Sequence, residues 1–178
     1  FYRGDIAKKI VDFHKTNGGL LSREDLAEYT TPLEEPLSIK FMNTDIYSCG
    51  PWCQGPTLLQ MLRILERMNL QNFSHNSTEY LHILTETIKL VFADREAFYG
   101  DPNIIEVPMK HLLSTGFAEK RKSMIDMSKA WSKLPPAGTI SGFGKPPFES
   151  CEDKSPTISA PDTSYTCAID KIGNVCSI

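Results

Sequence analysis

Four histidines and five cysteines are the side chains of this 178-residue chain that metal or redox chemistry would use first. They are His14, His75, His82, His111, Cys49, Cys53, Cys151, Cys167 and Cys176. Within the predicted helices, only His82 has an acidic residue, Glu86, four positions later. The cysteines form neither a CxxC pair nor a metal-finger spacing, and the two ligands Cys49 and Cys53 cannot close a zinc site. We therefore expect no metal site, and we interpret the histidines as surface or interface residues.

Thr163 carries a hydroxyl group at the start of a segment that alternates in polarity from residue 163 to residue 170. This alternation predicts a β-strand, and Gly173-Asn174 is turn chemistry that leads back into a second strand over residues 175–178. On propensity alone, a β-branched residue that opens a strand is a structural residue. The residue types around position 163 therefore do not show whether Thr163 is a catalytic or a structural residue.

Two short helices are predicted near the beginning of the chain. Asp5 is placed to cap a helix whose apolar residues Ile6, Ile10 and Phe13 recur at helical spacing. Ser22 is followed three residues later by an acidic residue, which predicts a capping box at the start of a second helix. We expect the first helix to lie at the surface with one buried face.

A hairpin and two longer helices are predicted next. The apolar segments 37–42 and 46–49 flank Asn43-Thr44-Asp45, which is turn chemistry. Apolar stripes then predict helices over residues 57–69 and 77–98, and we expect these two helices to carry most of the core. The stripe residues are Leu58, Leu62, Leu65, Leu81, Leu84, Ile88 and Val91.

Proline and glycine cluster in residues 132–161, which predicts an irregular and mobile connection. The chain therefore divides into a mostly helical part over residues 1–131, a Pro/Gly-rich linker over residues 132–162, and strands over residues 163–178. This order predicts an α+β protein whose sheet is only begun here.

The charge pattern excludes one class of partner. The formal net charge is −3, the isoelectric point is about 5.8, and basic residues are scattered among acids without forming a stripe. Nucleic acid is therefore not expected as a partner. No apolar run reaches the ~20 residues needed to cross a bilayer, and the first residues do not read as a signal peptide.

Several segments, taken in order, resemble the second half of the large subunit of the γ-glutamyltranspeptidase family. They are FYRG at 1–4, NGGL at 17–20, EDLAEY at 24–29, ADRE at 93–96, YGDP at 99–102 and VP at 107–108. The most informative segment is DTSY at 162–165 followed by Asp170 and Gly173-Asn174, which resembles the start of the family's small subunit.

The resemblance implies that the chain is part of an αββα N-terminal nucleophile hydrolase sandwich, contributing helices and the first strands of the small subunit. It implies that Thr163 is the catalytic nucleophile and that Asp162-Thr163 is the bond cut during self-processing. The implied substrate is a γ-glutamyl amide such as glutathione, with water or an amino-acid or peptide acceptor. No cofactor is implied, and the remainder of its own large and small subunits is the implied protein partner. A periplasmic, extracellular or cell-surface location follows from the resemblance alone.

The chemistry explains why a bond must break before Thr163 can act. A threonine hydroxyl is a weak nucleophile without a base, and an N-terminal threonine can use its own α-amino group as that base. The ordinary pKa of an α-amino group is about 7.7–8.0, so a useful fraction is neutral near physiological pH. The amine exists only after the bond to Asp162 is cut.

One departure from the family pattern leaves two alternatives open. Residues 48–56, SCGPWCQGP, stand where many members have a proline- and serine-rich turn that ends in paired glycines. A related amidase or acylase with a different acyl substrate is the first alternative. The second is a catalytically inactive homologue that acts as a binding protein.

Overall fold

The computed structural model describes residues 1–143 and 166–177. Its contacts separate two units, Phe1–Gly144 and Lys145–Ile178, which we describe one at a time. In the described residues, the first unit contains six α-helices, a short 3₁₀ helix and a hairpin, and the second contains a hairpin. The helices are α1 (Asp5–Thr16), α2 (Arg23–Glu28), α3 (Gly55–Leu65), α4 (Thr78–Phe98), α5 (Met109–Leu112) and α6 (Thr115–Lys122). The strands are β1 (Leu37–Phe41), β2 (Thr44–Ser48), β3 (Cys167–Ile169) and β4 (Val175–Ser177), and the 3₁₀ helix is Leu70–Asn72. The α+β prediction is confirmed.

Helix α1 buries a different face from the predicted one. Ala7 and Val11 are buried, whereas Ile6 and Phe13 are 53% and 67% exposed. Asp5 is the first helical residue, and Gly4 is the N-cap without a side-chain hydrogen bond. The prediction chose the largest apolar side chains, but the small residues face the rest of the unit because they allow close packing.

Helix α2 begins with the predicted capping box. The backbone N–H of Asp25 donates to Ser22 Oγ at 3.0 Å, and the backbone N–H of Ser22 donates to Asp25 Oδ2 at 2.8 Å. Hydrogen bonds from Ser22 lower the pKa of Asp25. Two N–H groups at the helix start are thereby satisfied.

Strands β1 and β2 form an antiparallel hairpin in which Phe41 pairs with Thr44. The two turn residues, Met42 and Asn43, have φ values of 47° and 66°. Positive φ at both positions is typical of a type I′ turn, whose twist matches that of the strands. The predicted hairpin is confirmed, but its turn begins one residue earlier than expected, and Asp45 lies in a strand.

Helices α3 and α4 pack through faces that overlap the predicted stripes only in part. Ile64 and Val91 are fully buried and belong to one cluster with Ala118 of α6. Of the predicted stripe residues, Val91 is buried, Leu62, Leu65 and Leu84 are partly buried, and Leu58, Leu81 and Ile88 are exposed. The buried face of α4 also includes the acidic residues Glu86 and Asp94.

Residues 132–143 contain no helix or strand, as expected for the first part of the predicted linker. They are nevertheless packed, because Ile140 is 4% exposed and shares a buried cluster with Phe98, Leu112 and Phe117. The irregular structure predicted for this part is observed, and the mobility of the connection stays a prediction. Residues 144–165 lie outside the described part of the chain, and the three-part division stays a prediction.

In the second unit, β3 and β4 pair antiparallel, with Cys167 opposite Ser177 and Ile169 opposite Val175. These strands lie within the predicted ones. Across residues 1–143 and 166–177, no helix is both long and apolar enough to cross a membrane.

Candidate functional site

The predicted nucleophile Thr163 and its neighbour Asp162 lie outside the described residues. The structure does describe the hairpin that follows them, whose first strand begins at Cys167, four positions after Thr163. The site can therefore be built from this hairpin in the second unit and, separately, from the polar groups buried in the first.

The turn of this hairpin is fixed by the side chain of Asp170. Its Oδ1 atom accepts hydrogen bonds from the backbone N–H groups of Ile172 and Asn174, both at 2.9 Å. Asn174 Nδ2 donates to Oδ2 at 2.7 Å, and Gly173 has a φ of 89°, which favours glycine. These hydrogen bonds, from Asn174 first, lower the pKa of Asp170. The carboxylate is therefore charged at neutral pH and holds the turn locally.

A fully buried carboxylate, Asp94, is the centre of the polar network in the first unit. Its Oδ1 atom accepts the backbone N–H of Gly138 at 2.7 Å, and its Oδ2 atom lies 3.0 Å from Arg121 Nε. Gln60 Nε2 also donates to Oδ2. Tyr99 extends the network by donating to Gln60 Oε1 at 3.3 Å. The network thus joins α3, α4, α6 and the chain near residue 138.

Burial dominates the electrostatics of this network. It raises the pKa of Asp94 to about 6, against the opposing effects of Arg121, the Gly138 N–H group and Gln60. Burial also lowers the pKa of Arg121 and raises that of Tyr99, the latter with help from the Asp94 charge. Asp94 is therefore ionised at neutral pH at a cost in desolvation. Because its side chain is sealed from solvent, it has no access to a substrate.

A second buried carboxylate, Glu86, lies two turns earlier on α4. Its Oε1 atom accepts from Lys89 Nζ at 2.7 Å, and its Oε2 atom accepts from the backbone N–H of Trp131 at 3.1 Å. His82 does not use it as a partner, because His82 Nε2 lies 2.9 Å from the carbonyl oxygen of Asp126. His82 and Glu86 are thus at helical spacing but do not interact with each other.

The loop that departs from the family pattern is held by local hydrogen bonds. Trp52 Nε1 donates to Glu34 Oε2 at 2.7 Å, and Cys53 Sγ accepts the Gly55 N–H at 3.4 Å. Trp52 lines a groove of about 630 Å³ together with Tyr29, Pro32, Glu34 and Tyr47. Cys49 and Cys53 are both free thiols. In the part of the chain that the structure describes, no group of three or more potential metal ligands is close enough to hold a metal ion.

Arg121 and Gly138 are two members of the buried network that sequence reasoning missed, and Gln60 is another. A signal for Arg121 existed, because Asp94 follows Leu90, Val91 and Ala93 on an apolar stretch of helix and a buried carboxylate requires a cationic or hydrogen-bonding partner. For Gly138, proximity to Phe117 matters: a Cβ atom at Gly138 would lie within 3.0 Å of that ring. Only the fold reveals this close approach.

Comparison with known proteins decides the family. The family model described as Gamma-glutamyltranspeptidase matches residues 1–178 of this chain, including the residues on both sides of the Asp162-Thr163 bond. The chain belongs to the γ-glutamyltranspeptidase family. The expectation drawn from the ordered sequence segments is confirmed.

Individual relatives agree with this assignment. The chain is 32% identical over 180 residues to the glutathione hydrolase proenzyme of Bacillus subtilis strain 168, covering 99% of this chain and 30% of that protein. It is 30% identical over 179 residues to the acylase ACY 1 proenzyme of Pseudomonas sp. strain SE83, covering 99% of this chain and 28% of that protein. The structure of Helicobacter pylori γ-glutamyltranspeptidase matches 76% of this chain and 40% of that chain with a TM-score of 0.68 and 29% identity.

The chain thus spans less than a third of the length of these two curated relatives. In this member of the γ-glutamyltranspeptidase family, Asp94 of the ADRE segment is buried with Arg121, and Arg95 points elsewhere: it pairs with Glu96 at 3.1 Å and donates to Gln54 Oε1 at 3.3 Å. Asp94 therefore makes its contacts within the buried network, whereas Arg95 makes its contacts at the exposed side of the helix.

Proposed function

We propose that the protein to which this chain belongs is a γ-glutamyltransferase and γ-glutamyl hydrolase that acts on glutathione-like γ-glutamyl amides. Its nucleophile is Thr163, exposed as an N-terminal residue when the bond to Asp162 is cut. The observation that carries the proposal is the unbroken family match across residues 162 and 163. The relatives named as proenzymes support it, because a proenzyme is a precursor that must be processed.

Self-cleavage needs only the Thr163 hydroxyl and water as reactants. The Oγ atom attacks the carbonyl carbon of Asp162, the peptide C–N bond breaks, and an ester forms while the nitrogen takes the proton and becomes the Thr163 amine. Water then attacks the ester and releases the Asp162 carboxylate and the free hydroxyl. The α-amino group is still part of the peptide bond in the first step, so that step needs another base.

Turnover uses the same hydroxyl, now with its own amine as the base. Thr163 Oγ attacks the γ-carbonyl carbon of the substrate, and its proton passes through the α-amino group to the leaving amine as the C–N bond breaks. The resulting γ-glutamyl ester is transferred to water in hydrolysis or to an acceptor amine in transfer. No metal or organic cofactor takes part in these steps.

The hairpin explains why position 163 suits this role. Asp170 and Gly173 fix the turn between β3 and β4, which makes the register of β3 independent of the chain before it. Thr163 precedes this strand by four positions. A position close in sequence to a strand of fixed register supports the proposal, because accurate placement of the attacking atom contributes directly to rate.

A related acylase is the second candidate, favoured by a specific observation. The acylase ACY 1 proenzyme of Pseudomonas matches this chain over the same length as the glutathione hydrolase proenzyme, at nearly the same identity. The loop with Trp52 and Cys53 also departs from the turn typical of γ-glutamyltranspeptidases. Both candidates use Thr163 and differ only in the acyl group.

The partner of the first unit is, we infer, the remainder of its own large and small subunits. Leu58, Leu81 and Ile88 are 51%, 47% and 45% exposed, yet α3 and α4 are also apolar on the faces that they bury. Helices that are apolar on two faces are buried on both in a complete protein. The outward stripes are therefore expected to pack against the rest of the protein.

Substrate class is tested with the mature full-length protein and two chromogenic amides that release the same amine. One carries a γ-glutamyl group and the other a glutaryl group, which lacks only the α-amino group. The γ-glutamyl proposal expects kcat/KM to be at least tenfold higher for the γ-glutamyl amide. Equal or inverted values would favour the acylase, and no turnover of either amide would favour the inactive homologue.

A further inference from the structure

The groove beside Trp52 lies in the first unit and has a volume of about 630 Å³. Its lining residues come from two stretches of the chain, 29–36 and 47–52. A groove of this size is within the range of about 300–1,000 Å³ that holds a small ligand. The lining residues that carry rings or acidic groups are Tyr29, Tyr47, Trp52, Glu34 and Glu35. We call this site the aromatic groove.

The ring of Trp52 is held in place from two sides. Its Nε1 atom donates to Glu34 Oε2 at 2.7 Å. A Cβ atom at Gly50 would lie 3.1 Å from Trp52 Cδ1 and 3.5 Å from Glu34 Oε2, so this pair rests against the bare glycine backbone. The Cys53 N–H donates to the Gly50 carbonyl at 3.3 Å and closes the loop that carries the ring. This wall of the aromatic groove is therefore formed before any ligand binds.

The two tyrosines of the aromatic groove are positioned by different elements. Tyr29 is the C-cap residue of α2, and its ring stacks on that of Tyr2 with the centroids 5.7 Å apart. Tyr47 lies in β2, opposite Ser38 of β1. Tyr29, Tyr47 and Trp52 are 54%, 64% and 55% exposed. Three large rings thus remain accessible around one groove instead of packing into the core.

The charge of the aromatic groove selects the sign of its ligand. Glu34 and Glu35 are the charged residues among the eleven described residues that line it, and none of the eleven is basic. Across residues 1–143 and 166–177, neither carboxylate forms an ion pair with a lysine or arginine. Trp52 uses one oxygen of Glu34, so the other oxygen can accept from a ligand. The site therefore favours a cation.

The aromatic rings favour the same kind of ligand as the carboxylates. The face of an aromatic ring is negative and attracts a cation that lies over it. A neutral apolar ligand would contact the rings but would remove water from the two carboxylates without replacing it. An anion would be repelled by both carboxylates. Rings and carboxylates together thus select a cation that can both stack and donate hydrogen bonds.

A guanidinium group meets these two requirements better than an ammonium group does. It is planar, so it stacks on a ring, and its fork of N–H donors matches the geometry of a carboxylate. It is also more weakly hydrated than an ammonium group, which lowers the cost of leaving water. We propose that the aromatic groove binds the guanidinium group of an arginine-like ligand, which stacks on the exposed rings and donates to Glu34 and Glu35. This inference does not depend on the proposed function.

The test measures binding to the full-length protein labelled with fluorotryptophan, by fluorine NMR. The signal that Trp52→Phe removes reports on the aromatic groove. The signal that Trp131→Phe removes is the internal control, because Trp131 does not line the groove. The probe is N-acetyl-arginine amide, whose one charge is the guanidinium group. N-acetyl-citrulline amide is the neutral probe of the same shape, and N-acetyl-lysine amide carries an ammonium group instead.

Three variants test the two carboxylates. Glu34→Gln removes the charge but retains an oxygen for Trp52 Nε1. Glu35→Gln removes the second charge at a side chain that does not hold Trp52, so the loop is undisturbed. Glu24→Gln is the matched control, because Glu24 is an exposed acid in the first turn of α2 that does not line the groove.

The proposal expects the arginine probe to shift the Trp52 signal to saturation while the Trp131 signal stays in place. Its Kd should be at least about fivefold lower than that of the citrulline probe, and lower than that of the lysine probe. Glu34→Gln and Glu35→Gln should each raise the Kd about two- to fivefold, whereas Glu24→Gln should match the parent.

Several results would overturn this assignment of the aromatic groove. They are the absence of a saturable shift at Trp52, an equal shift at Trp131, equal affinity for the citrulline probe, tighter binding of the lysine probe, and an unchanged Kd in both glutamine variants of the groove. The measurement uses neither self-cleavage nor turnover. Its outcome is therefore separate from the role proposed for Thr163.

Discussion

The acidic residues of α4 take different roles that depend on burial more than on residue type. Asp94 is sealed in the first unit with Arg121, whereas Glu96, two positions later, is exposed and pairs with Arg95. The sequence indicates that Asp94 needs a partner, because Asp94 is an acid on an apolar stretch of helix. It could not identify Arg121, which is 27 positions away in sequence and becomes a neighbour only through the packing of α4 against α6.

The first prediction, at the scale of single residues, concerns how the free energy of unfolding depends on pH. The folded-state pKa of Asp94, about 6, is above the ordinary value of 3.8, so the folded protein binds more protons than the unfolded chain between these values. The contribution of Asp94 to the unfolding free energy must therefore fall as pH rises from about 4 to about 6 and then stay constant. Denaturant titrations of the parent and Asp94→Asn give this contribution by difference. A difference that rises with pH in this window would contradict the assignment.

The helices and strands were predicted more accurately than the side-chain faces that they bury. The capping box of α2 and the hairpin of β1 and β2 follow from local chemistry, which is independent of the rest of the molecule. The buried face of α1 does not follow from local chemistry. Ala7 and Val11 are buried, whereas Ile6 and Phe13 are exposed, because packing distance depends on the neighbouring elements. Periodicity identifies a helix but cannot choose between two apolar faces.

The turn of the first hairpin supports a second prediction. Met42 has a φ of 47° and is 70% exposed, so it bears the cost of a left-handed conformation with little packing in return. Met42→Asn should raise the unfolding free energy by up to about 1 kcal/mol, because asparagine tolerates this conformation at the first turn position. Met42→Val, with a β-branched side chain, should lower it. Equal stability of the two variants in thermal unfolding would show that the turn is not type I′.

At the scale of the whole molecule, the described residues correspond to only part of the length of the curated relatives. The sequence identified the family, because several short segments resemble those of the family in the same order, and this needs no knowledge of side-chain contacts. The sequence could not supply the pocket, since this chain spans less than a third of the length of its curated relatives.

The third prediction follows at this scale. Residues 1–178 expressed alone should have no transferase or hydrolase activity, because they span less than a third of the curated relatives and the resemblance implies that the remainder of the large and small subunits completes the active site. Each oxyanion-hole donor that an active site lacks typically costs about 10²–10³-fold in rate. The exposed stripes with Leu58, Leu81 and Ile88 should also make the isolated chain prone to aggregation. Turnover of a chromogenic γ-glutamyl amide within tenfold of the full-length protein would show that the active site has been misplaced.

The central claim, that Thr163 serves both self-cleavage and turnover, is tested most directly by the intact masses of the full-length protein and its Thr163→Ala variant. The parent should separate into two polypeptides whose masses place the cut between Asp162 and Thr163, with Thr163 as the new N-terminal residue. Thr163→Ala should remain a single chain and should not hydrolyse a γ-glutamyl amide, because the same hydroxyl is needed in both reactions. Thr163→Ser, which keeps a hydroxyl, is the control and should still be cut. Two polypeptides from Thr163→Ala, or a cut at another bond in the parent, would contradict the account.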